Sequence, residues 1–174
     1  MAGKWLARSA LAGIACLWLV GCGYHFAGEG PGPKPGLQKI AIPVFENKTS
    51  EAELETLFAG ALRHEFMVRG SYRIVPVAEA EAVFRGRIIR LYTTELAHAA
   101  PEATIESRVY IVLDVRCIDT KTGAVLWQDN NLLEFAAYLH PSDPILSFEG
   151  RRRAEASIAR KLAERIHDRF LSNF

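Results

Sequence analysis

The sequence predicts an α+β fold: a two-layer sandwich in which two amphipathic helices cover one face of a mixed, mostly antiparallel sheet. Three observations predict it. Two stretches carry apolar residues at helical spacing, Leu54-Leu57-Phe58-Ala61-Leu62-Phe66 and Ala154-Ile158-Leu162-Ile166-Phe170. Long runs rich in β-branched and aromatic residues lie between them, at 83–96, 105–119 and 125–138. The order β-α-β-β-β-β-α then lets both helix stripes meet the same sheet face.

The chain opens with Lys4 and Arg8, followed by an apolar core from Leu11 to Val20 and then Gly21-Cys22. A charged start, a short apolar run and small residues before a cut describe a secretory signal peptide, assigned to residues 1–21. The run is too short to span a bilayer, which takes about 20 residues. Leu19-Val20-Gly21-Cys22 resembles the lipobox of bacterial lipoproteins, where a diacylglyceryl group is coupled to the cysteine and the new amine is acylated. Cys22 is therefore the candidate lipidation site, against the plainer reading of a chance cysteine after an ordinary cleavage site. A covalent lipid there is the only non-protein group expected. Each buried CH₂ contributes about 0.8 kcal/mol, and more than one acyl chain anchors stably. Gly23 replaces the aspartate that marks inner-membrane retention, which favours the outer membrane.

Loss of residues 1–21 removes two cations and no acid, so the net charge moves from +1 to −1 over the remaining 153 residues. That length suits one domain with one core. The near-neutral balance argues against a nucleic-acid binder, which shows a strong basic excess. Cys16 leaves with the signal peptide and Cys22 is claimed by lipid, so Cys117 is the one cysteine left and no internal disulfide forms. Cys117 is readable as a nucleophile or, more simply, as a small apolar strand residue.

Residues 22–36 form a lipidated N-terminus and a flexible tether, since Gly28 to Gly36 hold four glycines and three prolines. Tyr24 and Phe26 are placed to meet a lipid interface or a partner. The single α+β domain spans 37–174. Lys39 to Phe45 reads as a strand, with Pro43 at an edge or end, and Glu46 to Thr49 as a turn. Ser50 with Glu53 forms a capping box for a helix over 51–69, stopped by Gly70. A second short strand over 72–77 is expected to pair parallel with the first. Strand 83–96, a loop at 97–104 containing Pro101, strand 105–119, a turn at 121–123 and strand 125–138 follow, with Asn130-Asn131 as a candidate bulge. The last helix starts at Asp143-Pro144 or several residues later and runs to the C-terminus, its charged face most simply solvated.

No chemistry announces itself. His25, His64, His98, His140 and His167 lack ligand spacing, and His64 and His167 read as surface or boundary residues of helices. There is no phosphate-cradling glycine loop and no nucleophile elbow. The acids Glu51, Glu53 and Glu55 suit a helix N-terminus. An enzyme is not expected. One constellation stands out. With Phe84, Gly86, Ile88, Val109, Ile111, Leu113, Val115 and Cys117 turned toward the helices, the opposite face collects Arg85, Arg87, Ile89, Leu91, Arg108, Tyr110, Val112, Asp114 and Arg116. Such a face is either solvated, with pairs such as Arg87 with Asp114, or suited to a phosphate-bearing amphiphile or another protein's wall.

The lipobox Cys22 followed by GYHF, then KIAIPVFENKT before an amphipathic helix, AEAVFRGRI, TGAVLWQ and a basic C-terminal helix together resemble the LptE family of lipopolysaccharide-assembly lipoproteins. The resemblance covers nearly all of the chain beyond Cys22. It implies a non-enzymatic, periplasm-facing, outer-membrane lipoprotein that binds and plugs the LptD barrel and assists insertion of lipopolysaccharide into the outer leaflet. Its partners would be LptD, lipopolysaccharide and outer-membrane lipid, with no nucleic acid. Only Cys22 carries over to a family position; the contact face rests on the strand pattern alone. The alternatives are a lipoprotein subunit or regulator of another envelope secretion or peptidoglycan complex, and a lipid-anchored hydrolase.

Overall fold

The computed structural model describes residues 32–70, 72–96, 105–141 and 143–172. Cys22, Tyr24, Phe26 and the loop at 97–104 lie outside them. The elements are β1 (Lys39–Ala41), β2 (Glu46–Asn47), α1 (Leu54–Arg69), β3 (Arg73–Ile74), a 3₁₀ turn (Val77–Glu79), β4 (Ala82–Leu96), β5 (Ile105–Asp119), β6 (Val125–His140) and α2 (Pro144–Ser172). One sheet of order β3-β1-β4-β5-β6 holds them, with β2 also beside β4. β1 pairs parallel with β3 and β4, while β4-β5-β6 is an antiparallel meander. The expected α+β architecture is what the chain adopts.

The core lies between the sheet and the two helices. Leu54, Phe58, Leu62 and Phe66 of α1 and Ile158, Leu162, Ile166 and Phe170 of α2 meet Phe84, Ile88, Val109, Ile111, Leu113 and Val115. An aromatic knot sits at one end: the Phe66 and Phe170 rings are 5.9 Å apart, and Phe84 is 4.9 Å from Phe170. His167 belongs to this knot and is fully buried, 4.9 Å from the Phe66 ring, rather than at the surface or boundary as its helix position suggested. Burial holds its pKa below the usual imidazole range. Cys117 is also fully buried, and burial pushes its thiol up to about 12, so it has no nucleophilic character.

Several boundaries differ from expectation for local reasons. The run 39–45 is not one strand. Pro43 cannot donate to a ladder, so pairing with β4 stops at Ala41↔Val83 and resumes at Glu46↔Arg87, five residues on one side against four on the other. Ser50 and Glu53 form no capping box. Asn47 takes over the turn: its Oδ1 accepts from Thr49 N at 2.9 Å and its Nδ2 donates to Glu51 O at 2.7 Å. Helix α1 then starts at Leu54, behind a left-handed Glu53 with no side-chain cap. The strand expected over 72–77 is only two residues long, because the chain turns at Pro76 into the 3₁₀ turn.

Helix α2 starts at the earlier of the two sites considered, capped by Asp143, whose Oδ1 accepts from Ile145 N at 2.8 Å. It also shields the edge strand β6, a long row of backbone groups that would otherwise invite pairing. Arg165 donates to Leu133 O at 3.1 Å. Near the helix start, Gly150 approaches Leu139 O so closely that a Cβ would stand 3.2 Å from it.

Candidate functional site

The sheet face away from the helices carries most of the predicted constellation, because β4 and β5 are long, regular and antiparallel over most of their length. Arg85 stands directly opposite Arg116 in the register, and Arg87 opposite Asp114. Arg85, Arg87 and Arg116 are exposed. Arg87 is neutralised, but by Glu46 of β2 at 2.6 Å and not by Asp114. Asp114 instead accepts from Asn131 N at 2.8 Å, across the bulge that Asn130-Asn131 makes with Asn131 in the left-handed region. Arg85 and Arg116 have no carboxylate partner among the described residues. Like charges directly opposite in a strand pair repel. They flank an open depression of about 570 Å³, also lined by Val44, Gln128 and Asn130. Two unneutralised guanidiniums beside an open hollow suit an oxyanion, whose oxygens each planar fork can engage in pairs.

Farther along the same face runs an aromatic row. Tyr92, Tyr110 and Phe135 come from three adjacent strands, with Tyr92 and Tyr110 parallel at 4.8 Å and Tyr110 to Phe135 at 5.3 Å. Arg90 lies over Tyr92 at 5.7 Å and Arg108 over Phe135 at 5.3 Å, so each end of the row carries a cation on a ring face. Phe135 and Leu133 remain 43% and 46% exposed, although they are large apolar side chains. Val112 is buried beneath this face, and Arg108 and Tyr110 are half-buried in it.

One predicted member, Leu91, does not belong, and another, Ile89, sits in a break of the ladder. The register between β4 and β5 slips between Ile88 and Arg90, so Ile89 is a bulge residue without a partner. Beyond it the alternation reverses. Leu91 pairs with Ile111 and packs into the helix-side core, while Arg90 and Tyr92 come to the outer face. Arg90, Tyr92, Leu133 and Phe135 are the members that sequence reasoning missed. The signal was present in Ile88-Ile89: two adjacent apolar residues mark where a period of two breaks phase.

The described residues hold no group of three potential metal ligands. The face can bind, through charge and apolar contact; it brings no acid, base and nucleophile together.

The family pattern described as LptE, lipopolysaccharide-assembly, matches residues 37–170. Among solved structures, a candidate lipoprotein from Caulobacter crescentus is 15% identical, with a TM-score of 0.50, covering 74% of this chain and 88% of that one. A hypothetical protein from Chlamydia trachomatis is 11% identical, with a TM-score of 0.52, covering 80% of this chain and 100% of that one. At these identities the likeness speaks for the fold. No curated protein matches the chain by sequence.

Proposed function

The chain belongs to the LptE lipopolysaccharide-assembly family, and from that premise we propose that it is an outer-membrane lipoprotein, lipidated on Cys22, that seats against the LptD barrel and contacts lipopolysaccharide through the outer sheet face. It works by binding, not by turnover. The observation that carries the reading is the cross-strand pair Arg85 and Arg116, two exposed cations without an ion-pair partner among the described residues, beside an open depression whose acids, Glu46 and Asp114, are engaged by Arg87 and Asn131 N. Lipid A presents phosphates over a bed of acyl chains. The arginines meet the phosphates, and the row Tyr92-Tyr110-Phe135 offers apolar surface to acyl chains or to the barrel wall. Six residues of β5 separate Arg116 from Tyr110, about 20 Å at the usual rise per residue. A ligand or partner that uses both parts must be extended.

The test replaces Arg85 and Arg116 together with Ser, and separately Tyr110 and Phe135 together with Ser, after circular dichroism shows the fold retained. The arginine pair should lose lipopolysaccharide capture in a pull-down, and the aromatic pair should reduce recovery of LptD. Full capture and full recovery in both variants would remove this face from the function. Cys22→Ala should abolish incorporation of labelled fatty acid; undiminished labelling would reject the anchor.

A further inference from the structure

The end of the domain where the tether arrives carries a second charged surface, which adjoins the Arg85 and Arg116 pair at Arg85. Lys34 is held there by Asp119, Nζ to Oδ2 at 2.5 Å, and Leu37 N closes a turn onto Lys34 O at 3.3 Å. The tether therefore joins the domain beside the β5–β6 turn. On the outer face at this end, Lys39 of β1 stands in register with Arg73 of β3. Lys39, Val77, Glu79, Glu81, Arg85 and Lys121 line an open hollow of about 790 Å³. The acids nearby are mostly engaged inside the fold. Glu81 Oε2 accepts from Gln38 N at 2.8 Å and Lys39 N at 3.0 Å. Asp119 accepts from Lys34 and from Lys121 N and Thr122 N, both at 2.9 Å. Glu79 and the half-buried Glu81 stay negative there, against Lys39, Arg73, Arg85 and Lys121. Lys39, Arg73 and Lys121 have no carboxylate partner among the described residues. Val77 is 45% exposed on the 3₁₀ turn that crosses this surface.

We propose that this surface, Lys39, Arg73 and Lys121 around Val77, docks on the anionic phospholipid headgroups of the membrane that holds the lipid on Cys22. The proposal rests on the Cys22 anchor. From Cys22 to Lys34 is twelve residues, a length whose reach is bounded at about 40 Å even when fully extended. The anchor therefore keeps this end near the bilayer. Helix α2, 29 residues long, is about 43 Å from end to end; its Leu171 packs beside Gly32, so its exposed first turn lies at the far end. Charge selects the partner. Cations near an anionic leaflet are attracted within a Debye length, and a basic patch supplies a second signal beside an acyl anchor. Docking would fix the orientation of the domain on the membrane, with Arg85 at the boundary of the docked surface.

The experiment uses the processed lipoprotein reconstituted into vesicles of phosphatidylcholine alone or mixed with phosphatidylglycerol, and reads amine acetylation of each lysine by mass spectrometry. Flotation with the neutral vesicles reports the anchor separately. Lys39 and Lys121 should be protected several-fold in the anionic vesicles, with Lys161 on α2 unchanged and the protection lost in high salt. Arg73→Gln should lower the ratio of docked to free protein about fivefold, the weight of one basic residue at an anionic surface. Equal acetylation of Lys121 in both vesicles, or equal protection of Lys161, would overturn the proposal, whether or not the protein floats.

Discussion

The ring of Phe45 occupies the space that a side chain at Gly86 would need. A Cβ built on Gly86 would stand 2.3 Å from Phe45 Cδ2. Gly86 is thus required by close approach: it lets the segment displaced by Pro43 fold its aromatic ring onto β4 and rejoin the sheet as β2.

Gly86→Ala should therefore cost about 1–3 kcal/mol, the usual range for overpacking a filled site. Phe45→Ala alone should cost about 3–5 kcal/mol through loss of a buried ring. Because the two groups compete for one space, the double variant should be less destabilised than the sum of the two. Urea denaturation of all four proteins measures the coupling; strict additivity would show that the ring moves aside freely.

Arg85 and Arg116 should weaken the fold slightly where they stand. Replacing Arg116 with Gln removes a like-charge cross-strand contact, so stability should stay level or rise by about 0.2–1 kcal/mol. The gain should fade at high salt, which screens exposed charges. A clear loss of stability at low salt would mean that Arg116 has a structural role, and the case for holding it in reserve for an anion would fail.

The layers and the core were legible in the sequence because apolar spacing is set by burial. Phe84, Ile88, Ile111, Leu113, Leu162 and Phe170 all lie where their periodicity put them. The first half of the outer face was legible for the same reason, since Arg85 and Arg116 alternate with core residues. What failed was phase and termination. The slip at Ile89 moved Leu91 inward and brought Tyr92 outward, and its one local mark is the adjacent apolar pair Ile88-Ile89. Asn47 outcompeted the Ser50–Glu53 cap because its side chain satisfies two backbone groups at once. The exposure of Phe135 and Leu133 follows from which face the helices cover, a tertiary fact.

Leu113 of β5 and Leu162 of α2 are both essentially without solvent contact and lie in one cluster. Truncating either to Ala should cost about 2–5 kcal/mol. Arg160, on the exposed face of α2, should tolerate Ala within about 0.5 kcal/mol. Chemical denaturation distinguishes them. Wild-type stability in both leucine variants would contradict the packing of α2 on the sheet.

The last prediction concerns pH and the join between tether and domain. Asp119 is 4% exposed. The Lys34 ammonium, followed by the backbone N–H groups of Thr122 and Lys121, holds its carboxyl far below the usual carboxylate range. A carboxylate whose pKa is depressed on folding contributes stability that is present above its unfolded value and lost as pH falls toward the folded one. Asp119→Asn should therefore be less stable than wild type at neutral pH. The gap should narrow only once the pH drops below about 3.9, where an unfolded aspartate takes up its proton. Lys34→Ala removes the largest cause of the depression, so its acid loss should begin at the same pH as in wild type but be smaller and end at higher pH, while the Asn variant shows none from this group. Denaturation midpoints measured for the three proteins from neutrality into acid give the comparison. A constant gap between wild type and Asp119→Asn across that range would mean that the charge of Asp119 does not hold the tether, and that the join at Lys34 rests on the Gly-Pro backbone alone.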